Sequence, residues 1–164
     1  MTATDPDPQS MRLDDLRATR NALQTDDDAV SFARRLAQAK LDLVRAQQRR
    51  LARGNDDSIT EELPVILSSH LTGGPARPPR PAEDFSDHPF AVELEALEDR
   101  MGGADIPTMG GAELVLFATE LEHFEQRLSR QRRELFTRID ALSAELVRRY
   151  REGEADVEGL LAGD

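Results

Sequence analysis

Two segments of the chain carry the same polar series. The first reads Asp27-xxx-Ser31-xx-Arg34-xxx-Gln38-xxx-Asp42. The second, 98 residues later, reads Glu125-xxx-Ser129-xx-Arg132-xxx-Phe136-xxx-Asp140. At 100° per residue of α-helix these offsets fall within an arc of about 80°, so each copy forms one polar stripe on a helix. The residue types suit guanine. Arginine can donate two hydrogen bonds to guanine O6 and N7, and a carboxylate can accept from guanine N1–H and the exocyclic amine. Serine and glutamine supply adaptable partners for phosphate or ribose. Two copies suit two related ligands, or one ligand with two guanines.

The elements that must present these stripes are legible from hydrophobic spacing. Phe117, Leu121, Phe124, Leu128, Leu135, Ile139, Leu142 and Leu146 step by 4-3-4-7-4-3-4, the repeat of a coiled-coil seam with one step missing. At the gap stand Gln131 and Arg132. A weaker seam, Val30, Ala33, Ala37, Leu41, Val44 and Leu51, runs beside the first stripe, and its alanines leave room for another group. Both stripes flank a seam. A dry partner there would make them costly, because buried charges cost several kcal/mol unless paired. The alternative to a ligand is therefore pairing of Arg34 and Arg132 with carboxylates across the helix interface.

Composition agrees with long, solvent-washed helices. Aromatics make up only 4% of the 164 residues and tryptophan is absent, so a thick core is excluded, while 32% of residues are charged. With no cysteine, disulfides and thiolate metal sites are ruled out. No apolar run approaches the roughly 20 residues of a membrane span, and the polar start of the chain lacks a signal-peptide core, so the expected localisation is cytoplasmic. The net charge of −11 argues against direct DNA binding. The acid excess is not uniform. Residues 25–53 hold seven Lys/Arg against four Asp/Glu, and residues 111–151 hold eight against seven, so the two long segments are where an anion is tolerated.

Local signals predict an unstructured tail over 1–10 and a single helical domain over 11–161. Within it a short helix spans Met11–Leu23. A long helix follows from Thr25, its N-cap, to Arg53, stopped by Gly54. Ser58-Ile59-Thr60-Glu61 is a capping box opening a helical turn to about Ser68. Residues 72–84, with four prolines and two glycines, form a flexible linker. Pro89 starts a helix to about Arg100, ended by Met101-Gly102-Gly103. The last helix runs from about Gly110 to Glu152, capped by Thr108 and closed by Gly153. The expected fold is all-α: an antiparallel coiled coil of two long helices with short accessory helices and a Pro/Gly-rich linker.

The stripes resemble the Glu-x3-Ser-x2-Arg-x3-Gln-x3-Asp signature of the RsiG anti-sigma factors of actinobacteria. Glu62-Leu63-Pro64-Val65-Ile66-Leu67 before a Gly/Pro-rich stretch, and the ending from Ile139-Asp140 through Arg148-Arg149-Tyr150-Arg151-Glu152-Gly153-Glu154-Ala155, are similar to the same family. The resemblance implies a coiled coil that binds a pair of cyclic di-GMP molecules, two per chain. It further implies that the loaded protein sequesters a sporulation sigma factor of the WhiG type, related to flagellar sigma factors. By position, the implied ligand residues are Asp27, Ser31, Arg34, Gln38, Asp42, Glu125, Ser129, Arg132 and Asp140. Two positions depart from the signature: Asp27 is one methylene shorter than Glu, and Phe136 replaces Gln, either to stack on a guanine or simply to pack.

Other chemistry finds no support in the residues. His70, His88 and His123 share no metal-ligand spacing and read as solvent-facing. No strand precedes a glycine-rich phosphate loop, and no Ser/His/Asp set suggests a triad. The expectation is a protein without catalysis, cofactor or metal. The alternative function is a ligand-free helical coiled-coil adaptor, in which the stripes are interhelical salt bridges.

Overall fold

A computed structural model describes residues 7–54 and 84–153. Among them the regular elements are a 3-10 turn Pro8–Ser10, α1 (Leu13–Arg53), α2 (Pro89–Met101), a second 3-10 segment Gly103–Thr108, and α3 (Gly111–Arg151). The fold is all-α and rests on two long helices, as the spacing predicts. Residues 1–6 of the expected tail, the capping box at 58–61 with its helical turn, and the linker at 72–84 apart from Asp84 lie outside the described residues.

The two expected helices at 11–23 and 25–53 are one. Nothing between Asn21 and Asp28 is Gly or Pro, and a break would leave two helix ends with unpaired backbone groups. Thr25 is therefore not an N-cap. Its hydroxyl donates to the carbonyl of Asn21 at 3.3 Å, one turn back inside α1. The end of the expected tail is also structured. Pro8–Ser10 turns, capped by Asp7, whose carboxylate accepts from the Gln9 N–H at 3.1 Å.

The start of α3 has a different cap from the one expected. The Glu113 carboxylate accepts from the Gly110 N–H at 2.7 Å, the backward half of a capping box. Thr108 belongs to the preceding 3-10 segment and donates to the Asp105 carbonyl. Between α2 and that segment Gly102 takes φ 70°, a left-handed position that closes α2 without a Cβ penalty. His88 is no mere surface histidine: its Nδ1 accepts from the Phe90 N–H at 3.3 Å and caps α2.

The described residues divide between two compact units, and both α1 and α3 contribute to each. One unit combines residues 1–28 with 130–164, and the other spans 29–129. In the first, Arg17 meets Tyr150 and Asp27 meets Arg132. In the second, Arg34 meets Glu125, Arg45 meets Glu122 and Gln47 meets Pro107. In each unit one residue number rises as the other falls, so the helices pair antiparallel.

The core of the 29–129 unit holds Val30, Ala33, Ala37, Leu41 and Val44 of α1, Leu94 and Leu97 of α2, and Leu114, Phe117, Leu121, Phe124 and Leu128 of α3. Burial of each large side chain contributes about 1.5–3 kcal/mol. The α1 alanines leave no open room: Ala33 and Ala37 are fully covered, in the same core as two buried phenylalanines. Leu51, expected in the seam, is exposed instead, since α1 is near its end there. The other unit is thinner, with Leu16, Leu23, Leu135, Leu142 and Leu146 buried. Ile139 is only half-buried.

Candidate ligand-binding site

In the 29–129 unit the stripe residues converge on one carboxylate oxygen. Glu125 Oε1 accepts from Arg34 Nη1 at 3.2 Å, Gln38 Nε2 at 3.2 Å and Ser129 Oγ at 2.9 Å. Four positions of the repeat thus form one cluster drawn from both copies. Ser31 is buried in the same unit. Asp42 lines an open groove of about 500 Å³ together with Gln38, Leu41, Arg45, Glu122, Glu125 and Gln126, a volume in the range of small-molecule sites.

The sequence pattern did not single out Arg45, Glu122 or Gln126. Arg45 and Glu122 pair at 2.8 Å across the groove's residues. A signal was available: Arg45 lies seven residues after Gln38 and so continues the same helical stripe. No counterpart exists in the second copy, where position 143 is serine.

The 1–28/130–164 unit holds the reciprocal pair. Asp27, at the head of the first copy, faces Arg132, at the third place of the second. The closest atoms, Asp27 Oδ1 and Arg132 Nε, are 3.4 Å apart. They attract as charges but are misaligned for a hydrogen bond, and both atoms are buried without a hydrogen-bond partner among the described residues. Burial pushes the Asp27 carboxyl above its ordinary range; Arg132 pulls it back in part, and Asp28 adds to the rise. Phe136, at the place of the signature glutamine, lies under Arg132 with the guanidinium carbon 4.8 Å from the ring centroid. Asp140 is exposed and is not drawn into this pair.

Three buried side-chain atoms lack a hydrogen-bond partner among the described residues: Asp27 Oδ1, Arg34 Nε and Arg132 Nε. All three belong to the repeated stripes. Such groups are rare in folded proteins, and each costs about 1–3 kcal/mol. Chemically the 1–28/130–164 unit offers one acceptor and one arginine donor, and the 29–129 unit one arginine donor; these suit ligand groups that are N–H donors or carbonyl or ring-nitrogen acceptors. Among the described residues no group of His, Asp and Glu could hold a metal, and no helix is long and apolar enough to cross a membrane.

A family model described as RsiG-like matches residues 2–67 and 102–163 of the chain. The two matched stretches contain both copies of the stripe and leave out α2. No curated protein matches the chain.

Proposed function

The chain belongs to the RsiG-like family, and from that premise we propose that it is an anti-sigma factor that binds cyclic di-GMP through its two stripes and captures a sigma factor of the WhiG/flagellar type. The observation that carries this reading is the location of the three unpartnered buried atoms in the stripes. Guanine offers what they lack: O6 and N7 accept from arginine, and N1–H with the exocyclic amine donates to a carboxylate. Arg34 and Arg132 would read the acceptor edge, and Asp27, Asp42, Glu125 and Asp140 would supply acceptors for the N–H edge. Ser31, Ser129 and Gln38 would serve ribose or phosphate. Two ligand molecules per chain follow from the two copies.

The reading has no catalytic step. Ligand would favour one helix-pair geometry that the sigma factor recognises, so ligand and sigma factor strengthen each other's binding by the same factor. A cytoplasmic setting and a role in sporulation signalling belong to the same proposal.

The ligand-free adaptor reading also has an observation in its favour: three donors already meet Glu125 Oε1. Calorimetric titration with cyclic di-GMP, with GTP and cyclic di-AMP as controls, separates the two. Selective binding near two molecules per chain supports the sensor. No binding, either to the chain alone or with a WhiG-type sigma factor added, leaves the adaptor.

A further inference from the structure

The two copies of the stripe brace their arginines by different means. In the 29–129 unit the fourth position is Gln38, which donates to Glu125, so the acid and its arginine are fixed by hydrogen bonds. In the 1–28/130–164 unit the fourth position is Phe136. It braces Arg132 through its ring face, with the guanidinium carbon at 4.8 Å, inside the range where the ring quadrupole attracts a cation. Among the described residues no hydrogen bond to Asp27 Oδ1 replaces the missing amide, and the Asp27–Arg132 contact stays at 3.4 Å without alignment. Phe136 nevertheless keeps 39% of its surface exposed. On an amphipathic helix this is an uncompensated apolar surface, and ring area remains for a second planar group.

We infer that Phe136 adds a stacking face for a planar purine base to the Asp27–Arg132 half-site, beside the hydrogen bonds that Asp27 Oδ1 and Arg132 Nε have to offer, while the Arg34–Glu125 half-site, with Gln38 in that place, holds guanine by hydrogen bonds alone. This deepens the proposed function and rests on it. Stacking tolerates any base, because every base has a π face, whereas aligned donors and acceptors reject the wrong edge strongly. The two ligand sites are therefore unequal. The one that holds its base by hydrogen bonds alone discriminates guanine from adenine more sharply than the one that also stacks it.

The test uses the full-length chain with Phe136→Leu, Phe136→Trp and Phe136→Gln, titrated with cyclic di-GMP and with cyclic di-AMP, with the sigma factor added if it is needed for binding. Phe136→Leu is expected to weaken one of two binding events about two- to fivefold for both nucleotides, the scale of an exposed cation–π contact, and Phe136→Trp to preserve it. Phe136→Gln is expected to widen the ratio of cyclic di-GMP to cyclic di-AMP affinity at that same event. A purely structural role would not move that ratio. Thermal midpoints of all three variants serve as the folding control, since an exposed helix position tolerates these residues. Two equal events in the parent protein, or a ratio unchanged in Phe136→Gln, would overturn this inference and leave the proposed function standing. No cyclic di-GMP binding under either condition overturns both.

Discussion

Glu125 and Asp27 occupy the same place in the repeat, each facing the arginine of the opposite copy, yet they are satisfied very differently. Glu125 accepts three hydrogen bonds through one oxygen. Asp27 has a buried oxygen with none and a carboxyl raised by burial. The shorter side chain accounts for part of this, since Asp reaches one methylene less far toward Arg132. The missing glutamine removes one donor, since Phe136 can brace an arginine but cannot donate to an acid. Similar residues at similar spacing thus give one region in which the acid is fully engaged and only Arg34 Nε is unmet, and another in which acid and arginine both keep an unmet atom.

The largest effect should come from removing the feature that both regions share. If each arginine holds a base, Arg34→Ala with Arg132→Ala should weaken each of the two cyclic di-GMP binding events about 5- to 150-fold, because each arginine–guanine contact contributes about 1–3 kcal/mol. Calorimetry on the double variant measures this. Unchanged affinity would remove the stripes from the ligand site and leave them as interhelical pairs.

Stability without ligand sharpens the contrast between the acids. Glu125→Gln should cost about 1 kcal/mol in urea unfolding, because Arg34 loses its charged partner at a position where both side chains keep only about a fifth of their exposure. Asp27→Asn should be neutral or stabilising, since burial already disfavours its charge. Equal losses would mean that the two pairs are equivalent despite their geometry.

Much of this architecture was legible in the sequence because punctuation was strong. Pro89 opens α2, Gly102 closes it, and Gly153 follows α3. The expected seam residues of the last helix are buried except Ile139. What spacing could not supply was partner identity. The stripes fixed which residues share a face, but the meeting of each acid with the other copy's arginine depends on helix register, which no single helix encodes. Boundaries failed where two local options competed. Thr25 can cap or continue a helix, and only the absence of a breaker decides. Thr108 can cap α3 or close a 3-10 turn, and the Glu113 carboxylate takes the capping role.

Two carboxyl groups of the 1–28/130–164 unit respond to acid in opposite senses. Glu145 accepts from Arg148 and Arg149, and these bonds hold its carboxyl down at about 2. Arg149 in turn donates to the carbonyls of Pro8, Gln9 and Met11. A depressed carboxyl contributes stability above its unfolded value and loses it as pH falls through about 2. Asp27, raised by burial, has the reverse sign: its share of stability is greatest at low pH and is lost as pH rises through its folded value. Glu145→Gln should therefore flatten the acid limb of a stability–pH curve, and Asp27→Asn should steepen it. Parallel shifts in both variants would contradict the assignment.

The smallest effect tests whether α1 starts afresh near the point where it passes from one region to the other. A threonine at an N-cap loses about 1 kcal/mol on replacement by alanine. A threonine inside a helix does the opposite, because alanine has the higher propensity by a few tenths of a kcal/mol, and back-bonding to the preceding turn slightly weakens the helix. Thr25 is exposed and donates to Asn21 four residues earlier, so Thr25→Ala should raise the unfolding midpoint by about one to two degrees. A drop of several degrees would place a helix start at Thr25. The stripe at Asp27 would then begin in the first turn of a new helix, where unpaired N–H groups at the helix end would compete with Arg132 for its carboxylate and lower its charge cost.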